Sequence, residues 1–178
     1  MATHSIIIAG FGGQGVLSMG QLLAYAGMLE GKEVSWLPSY GPEMRGGTAN
    51  VNVIISDEQI GSPVITSATE LMALNRPSLD KFEKDVCKGG IAYVNSSLAS
   101  RKLEREDITG IYMPINEMAA EIEFPRGANM IMLGSFIKRT GVVSIDSVMQ
   151  SLREVLGESK EHLLPINRKA LELGEAFN

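Results

Sequence analysis

Three regimes of apolar and polar spacing follow one another along the chain, and each predicts a different kind of element. Ser5-Ile6-Ile7-Ile8-Ala9 is a largely β-branched run ending at Gly10, the pattern of a central parallel strand packed on both faces. From Gln14 to Leu29 apolar residues fall on nearly every side of a helix, which predicts burial all round. In a chain of 178 residues a helix on one sheet face leaves its outer stripe wet, so another chain is expected to cover this one. Gly31 ends the helix, and Glu33-Val34-Ser35-Trp36-Leu37 reads as a second strand stopped by Pro38.

Turn-forming residues fill Pro38 to Gly47, after which Thr48 to Ser56 alternates and branches like a strand. Asp57 to Thr69 reads as a turn and an extended connection, and Glu70 to Asp85 as a helical region broken at Pro77. Gly89-Gly90 opens a buried strand, Ile91 to Val94, that ends in Asn95-Ser96-Ser97, and Gly110 to Met113 is another short strand. Helices are expected at Met118 to Ile122 and Ala128 to Arg139, where Gly134 permits close approach of a neighbour. Ser144 caps a further helix with a clear apolar stripe, and a last one follows Pro165 with Ile166, Ala170, Leu173 and Phe177 inward. The whole predicts one α/β domain over residues 1–178, a mostly parallel Rossmann-like sheet with flanking helices and a helical C-terminal cap.

Charge sharpens this picture. Sixteen Lys and Arg face 21 Asp and Glu for a net charge of −5, and no basic run occurs, so nucleic acid is excluded as an expected partner. Residues 5–29 carry no charge, yet six glycines interrupt them and no Lys or Arg precedes them. That argues against a membrane span or secretion signal and for a soluble, cytoplasmic protein. The single cysteine, Cys87, excludes a disulfide framework, a four-cysteine zinc site and an iron–sulfur cluster held by this chain alone. His4 and His162 read as solvated surface residues. No nucleophile–base pair and no metal-ligand set is present, so no catalytic or metal residue is assigned.

Two segments carry candidate chemistry. Gly10-Phe11-Gly12-Gly13-Gln14-Gly15 satisfies G-x-G-x-x-G between a strand and a helix, where backbone N–H groups and the helix dipole suit a phosphate. An NAD(P) site also needs an acid at the end of the second strand, which here ends Ser35-Trp36-Leu37-Pro38, with Glu30 and Glu33 at its wrong end. Glycines serving only tight strand–helix packing are the plain structural alternative. The second segment, Tyr40-Gly41-Pro42-Glu43-Met44-Arg45-Gly46-Gly47, brings Arg45 and flexible glycines to the presumed carboxyl edge of the sheet. Arg45 suits a bidentate phosphate or carboxylate contact, or an ion pair with Glu43 or another carboxylate. Cofactor contacts are therefore expected at Gly10, Phe11, Gly12, Gly13, Gln14, Gly15, Tyr40, Gly41, Arg45, Gly46 and Gly47. Asn95-Ser96-Ser97 either adds donors to the same rim or merely ends a strand.

At these residues the sequence resembles the gamma subunit of the thiamine-diphosphate-dependent 2-oxoacid:ferredoxin oxidoreductases, most closely the 2-oxoglutarate type. The blocks that carry the resemblance are Gly10 to Val16, Pro38 to Gly47, Asn75-Arg76-Pro77-Ser78-Leu79 with Phe82, Asn95-Ser96-Ser97, and Asn129-Met130 to Leu133-Gly134. The resemblance implies alpha and beta subunits that hold thiamine diphosphate, a delta subunit that holds [4Fe-4S] clusters, and ferredoxin as the electron acceptor. It further implies oxidative decarboxylation of a 2-oxoacid to an acyl-coenzyme A, with the gamma unit helping to bind coenzyme A. A stand-alone NAD(P)-dependent oxidoreductase and a purely structural assembly subunit are the alternatives.

Overall fold

The computed structural model describes residues 2–39 and 48–178. A six-stranded sheet runs in the order β2-β3-β1-β4-β5-β6, built from β1 (Thr3–Phe11), β2 (Glu33–Ser39), β3 (Thr48–Ser56), β4 (Ala68–Ala73), β5 (Val86–Asn95) and β6 (Thr109–Met113). β3 is antiparallel to both of its neighbours, β1 and β2, and β4, β5 and β6 extend the sheet in parallel from β1. The helices are α1 (Val16–Leu29), α2 (Arg76–Phe82), α3 (Ile115–Glu121), α4 (Ala128–Thr140), α5 (Ile145–Leu156) and α6 (Leu164–Glu175).

Strand alternation divides the interior into two layers. Ile6 and Ile8 of β1, Val51, Val53 and Ile55 of β3, Met72 of β4 and Tyr93 of β5 point to one face, where α1, α3, α4, α5 and α6 cover them. Ile7, Ala9, Leu71, Ala73, Ala92 and Val94 point to the other, under Leu79 and Phe82 of α2. Right-handed crossovers account for the division. The link through α1 runs from β1 toward β2, and the link through α2 runs the opposite way, from β4 to β5, so the two helices take opposite faces. The direction of winding reverses between β1 and β4, and the glycine turn follows β1 at that point.

Several expectations are corrected. The region from Glu70 to Asp85 is not one helical stretch: its first part belongs to β4, and Pro77 opens α2 rather than breaking it. Pro38 does not stop β2, which continues to Ser39; on an edge strand a missing N–H is tolerated. Burial of α1 on every side is not reached within the chain: eight of its residues are buried between the sheet and α5, and the outer stripe with Tyr25, Met28 and Leu29, where another chain is expected, stays exposed. His4 is not a solvated residue, because its Nδ1 lies 2.8 Å from Oε1 of the buried Glu70. The inward stripe of α6 is Leu164, Asn167, Ala170, Leu171 and Gly174, so Ile166, Leu173 and Phe177 sit at its margin.

Gly134 does permit the close approach expected of it. A Cβ there would overlap the Leu171 carbonyl oxygen of α6, and a Cβ on Gly174 would overlap the Ile131 carbonyl oxygen of α4. The two helices thus meet backbone to backbone through reciprocal glycines. On the opposite face, Glu83 anchors the loop before β6, accepting from the N–H groups of Glu104 (2.6 Å) and Arg105 (3.0 Å) and pairing with Arg101 (2.8 Å). Burial pushes the Glu83 carboxyl up, but these N–H groups and the guanidinium outweigh it and hold it below the usual carboxylate range.

Gly134→Ala and Gly174→Ala should each destabilise the fold by roughly 1–3 kcal/mol, although alanine in a helix interior normally gains about 1 kcal/mol over glycine. Gly61→Ala, with open space around its Cβ, should be nearly neutral in the same thermal unfolding series. A lowered folded-state pKa contributes stability above the unfolded value and loses it as pH falls through the folded one. The gap in melting temperature between the native protein and Glu83→Gln should therefore be full near neutral pH and close on acidification below the ordinary carboxylate range of about 4.3.

Candidate functional site

The glycine turn lies at the carboxyl edge of the sheet, where strand order reverses and open α/β folds bind ligands. Its four glycines divide the work. Gly10 is packing: a Cβ there would stand 2.7 Å from Gln14 Oε1 and 2.9 Å from Val16 Cγ2. Gly15 is the N-cap of α1 with φ +78°, and a Cβ on it would overlap the Asn129 amide. Gly12 and Gly13 are exposed, and Gly13 has φ +91° with nothing within 4 Å of an added Cβ. The α1 helix begins without a side-chain cap and without an acid in its first turn, so its leading N–H groups are left for another acceptor.

Gln14 does not project from the turn. Its Oε1 accepts from the Phe11 N–H (2.6 Å) and from Asn75 Nδ2 (3.2 Å), and its Nε2 donates to the Leu74 carbonyl (3.4 Å). Gln14 therefore braces the loop from inside, and Phe11 stands exposed beside it. Asn95, fully buried at the end of β5, donates to the same Leu74 carbonyl (2.9 Å) and to Asn116 Oδ1 (2.8 Å), and accepts from the Ser97 N–H (3.1 Å). Asn95 thus ends a strand, and although it borders the cleft it adds no free donor to the rim, since its amide is spent on Leu74 and Asn116.

These residues enclose a cleft of about 240 Å³ bounded by Gly13, Gln14, Asn95, Asn116, Arg126 and Asn129. A second hollow on the other side of the turn is lined by Phe11, Gly12, Gly13, Val16, Ser18 and Ala49. Arg45, Tyr40, Gly41, Gly46 and Gly47 lie outside the described residues. Arg126 was missed by sequence reasoning, which assigned Arg45 as the cation at this edge of the sheet. It enters from a 3₁₀ turn, Pro125–Gly127, more than a hundred residues downstream of the glycines. The chain signals it only by Pro-Arg-Gly ahead of an apolar helix. Among the described residues β2 ends at Ser39 without an acid, and Glu30 is engaged elsewhere, accepting from the Ser144 N–H at the start of α5 (2.7 Å). Among the described residues, no group of three His, Cys, Asp or Glu side chains could hold a metal ion, and no helix is long and apolar enough to cross a membrane.

Residues 5–177 match the model of the pyruvate ferredoxin/flavodoxin oxidoreductase family. The chain belongs to that family. Ketoisovalerate oxidoreductase subunit VorA of Methanothermobacter marburgensis is 43% identical over 170 residues, which are 94% of this chain and 35% of that protein; the chain thus spans about a third of that relative. The crystal structure of a keto/oxoacid ferredoxin oxidoreductase gamma subunit from Geobacter sulfurreducens superposes with a TM-score of 0.81 at 31% identity, covering 97% of this chain and 96% of that one. A 2-oxoglutarate:ferredoxin oxidoreductase from Magnetococcus marinus, solved with 2-oxoglutarate, coenzyme A and succinyl-CoA bound, shares the fold with a TM-score of 0.89 at 23% identity, over 99% of this chain and 31% of that one.

If the bracing around Leu74 is as tight as its hydrogen bonds imply, Asn95→Ala should cost about 1–3 kcal/mol by leaving the Leu74 carbonyl and Ser97 N–H short of partners. Asn95→Asp should cost at least as much despite equal size, because a carboxylate cannot donate to Leu74 or Asn116. Urea unfolding of the two variants provides the comparison.

Proposed function

We propose that this chain is the gamma subunit of a multisubunit thiamine-diphosphate-dependent 2-oxoacid:ferredoxin oxidoreductase, and that its glycine turn binds the pyrophosphate of coenzyme A. The reaction is oxidative decarboxylation: the 2-oxoacid loses carbon dioxide, its acyl group passes to the coenzyme A sulfur, and two electrons pass to ferredoxin. Thiamine diphosphate and the [4Fe-4S] clusters belong to alpha, beta and delta partner subunits on this reading, since one cysteine supplies too few thiolates for a cluster. What this chain contributes is binding and orientation of the acyl acceptor.

The observation that carries the reading is the exposed Gly12-Gly13 turn at the uncapped start of α1, set where the sheet reverses its winding. Backbone N–H groups with no side chain in the way suit a pyrophosphate. The absence of a ribose-binding acid at the end of β2 disfavours NAD(P) and is no obstacle to coenzyme A. Within the 2-oxoacids we place 2-oxoglutarate first on the resemblance of the Gly10 and Pro38 blocks, with ketoisovalerate favoured by the 43% identical relative. The substrate carboxylates meet alpha and beta subunits, so that choice is made outside this chain.

Titration of the assembled enzyme with coenzyme A and with NADH tests the reading. Arg45→Ala should weaken coenzyme A binding by roughly 1.5–3 kcal/mol, and Arg45→Lys should recover only part of it. Gly12→Val should be worse than either, because a side chain there blocks approach to the backbone without changing charge. NADH should bind negligibly throughout. Unchanged coenzyme A affinity in both Arg45→Ala and Gly12→Val, with assembly intact, would leave a scaffolding role in place of ligand binding.

A further inference from the structure

The cleft behind the glycine turn differs in charge from the other charged hollows on the surface. The groove between α5 and α6 sets Arg153 and Arg168 against Asp146 and Glu154. Around Glu83, the cations Arg76, Lys84, Arg101 and Arg105 stand among the carboxylates Asp80, Glu83 and Glu104. Among the described residues, the cleft at Gly13 has one cation, Arg126, with amides and no carboxylate. Arg126 is exposed and, among the described residues, forms no ion pair and no hydrogen bond. In a chain with an excess of acids, an unmatched guanidinium in a carboxylate-free cleft is placed for an anionic ligand.

The surrounding amides are oriented to match. Asn95 has its Oδ1 committed to the Ser97 N–H and its amide to the Leu74 carbonyl, so Asn116 can meet it only with Oδ1. That leaves the Asn116 amide hydrogens as donors to the cleft. Asn129 is fixed through its Oδ1, which accepts from the Met130 N–H (2.9 Å), and its amide donates one hydrogen to the Gly15 carbonyl (3.4 Å), leaving the other as a donor to the cleft. Guanidinium and amide donors without a competing acid form a site that accepts phosphate oxygens and repels no anion.

We infer that Arg126 is the counter-charge for the ligand's pyrophosphate, acting from the wall of the cleft that it shares with Gly13, with Asn116 and Asn129 as neutral donors. This inference rests on the coenzyme A reading above, and it places the pyrophosphate in the cleft bounded by Asn95 and Asn129 rather than in the hollow beside Ala49.

The test is equilibrium titration of the assembled enzyme with coenzyme A, 3′-dephospho-coenzyme A and pantetheine. Arg126→Ala should weaken both nucleotide ligands by the same factor, roughly ten- to a hundredfold for a lost charge-assisted contact, and leave pantetheine unaffected. Arg126→Lys should restore part of the loss. Arg76→Ala, which removes an exposed cation outside the cleft, should change none of the three. Unchanged affinity in Arg126→Ala alongside a weakened Gly12→Val would overturn this assignment and leave the coenzyme A reading standing. Loss with coenzyme A but not with its dephospho form would also overturn it, placing Arg126 at the 3′-phosphate. Full affinity in both Arg126→Ala and Gly12→Val would remove the reading on which it rests.

Discussion

One carbonyl, that of Leu74, ties the functional edge of the sheet together. It sits just past the end of β4 and receives the Gln14 amide from the turn after β1 and the Asn95 amide from the end of β5. Its own N–H donates to the Ala9 carbonyl of β1 (2.9 Å). Three adjacent strand ends are therefore fixed to one residue at the point where the winding reverses. A loop with exposed glycines pays heavily in conformational entropy on ordering, and this bracing is what keeps the turn in a single shape before any ligand arrives. Neutral amides suit that task at the proposed anion site. A carboxylate brace would repel phosphate, and a cationic one would be drawn out of place by it.

The second support is remote from the first and purely steric. Reciprocal glycines bring α4 and α6 to backbone contact, which fixes how far the start of α4 stands from the sheet. Gly127, one residue after Arg126, is itself confined between Phe124 and Ala170 of α6. The C-terminal cap thereby sets the position of the 3₁₀ turn that carries Arg126 and of the Asn129 amide that contacts the Gly15 carbonyl (3.4 Å). Close packing transmits small displacements, so a change at Gly174 bears on the wall of a cleft that Gly174 does not touch.

How much of this was legible in the sequence depended on how local the cause was. The β-branched run of β1, the glycine spacing and the Ser144 cap are each decided within a few residues, and each reads directly from the chain. The β4 strand, Ala-Thr-Glu-Leu-Met-Ala, is composed mostly of helix formers, and only its place between β1 and β5 makes it extended. His4 looked solvated for the same reason: its partner, Glu70, lies on that unrecognised strand. On the site, the glycine turn was legible as a motif, but the inward folding of Gln14 and the arrival of Arg126 from the far end of the chain depend on tertiary contacts that no local pattern encodes.

The acidic balance of the chain adds a final constraint on how the site works. A net charge of −5 opposes the approach of a polyanion at long range, yet at physiological ionic strength such fields fade over about 8 Å. Attraction must then come from groups within a few ångströms of the phosphates, where screening is weak. A pocket that, among the described residues, holds one guanidinium and several amide donors and no carboxylate satisfies that requirement without making the subunit basic as a whole. Local donor geometry, rather than overall charge, is what the proposed coenzyme A site relies on in an acidic chain.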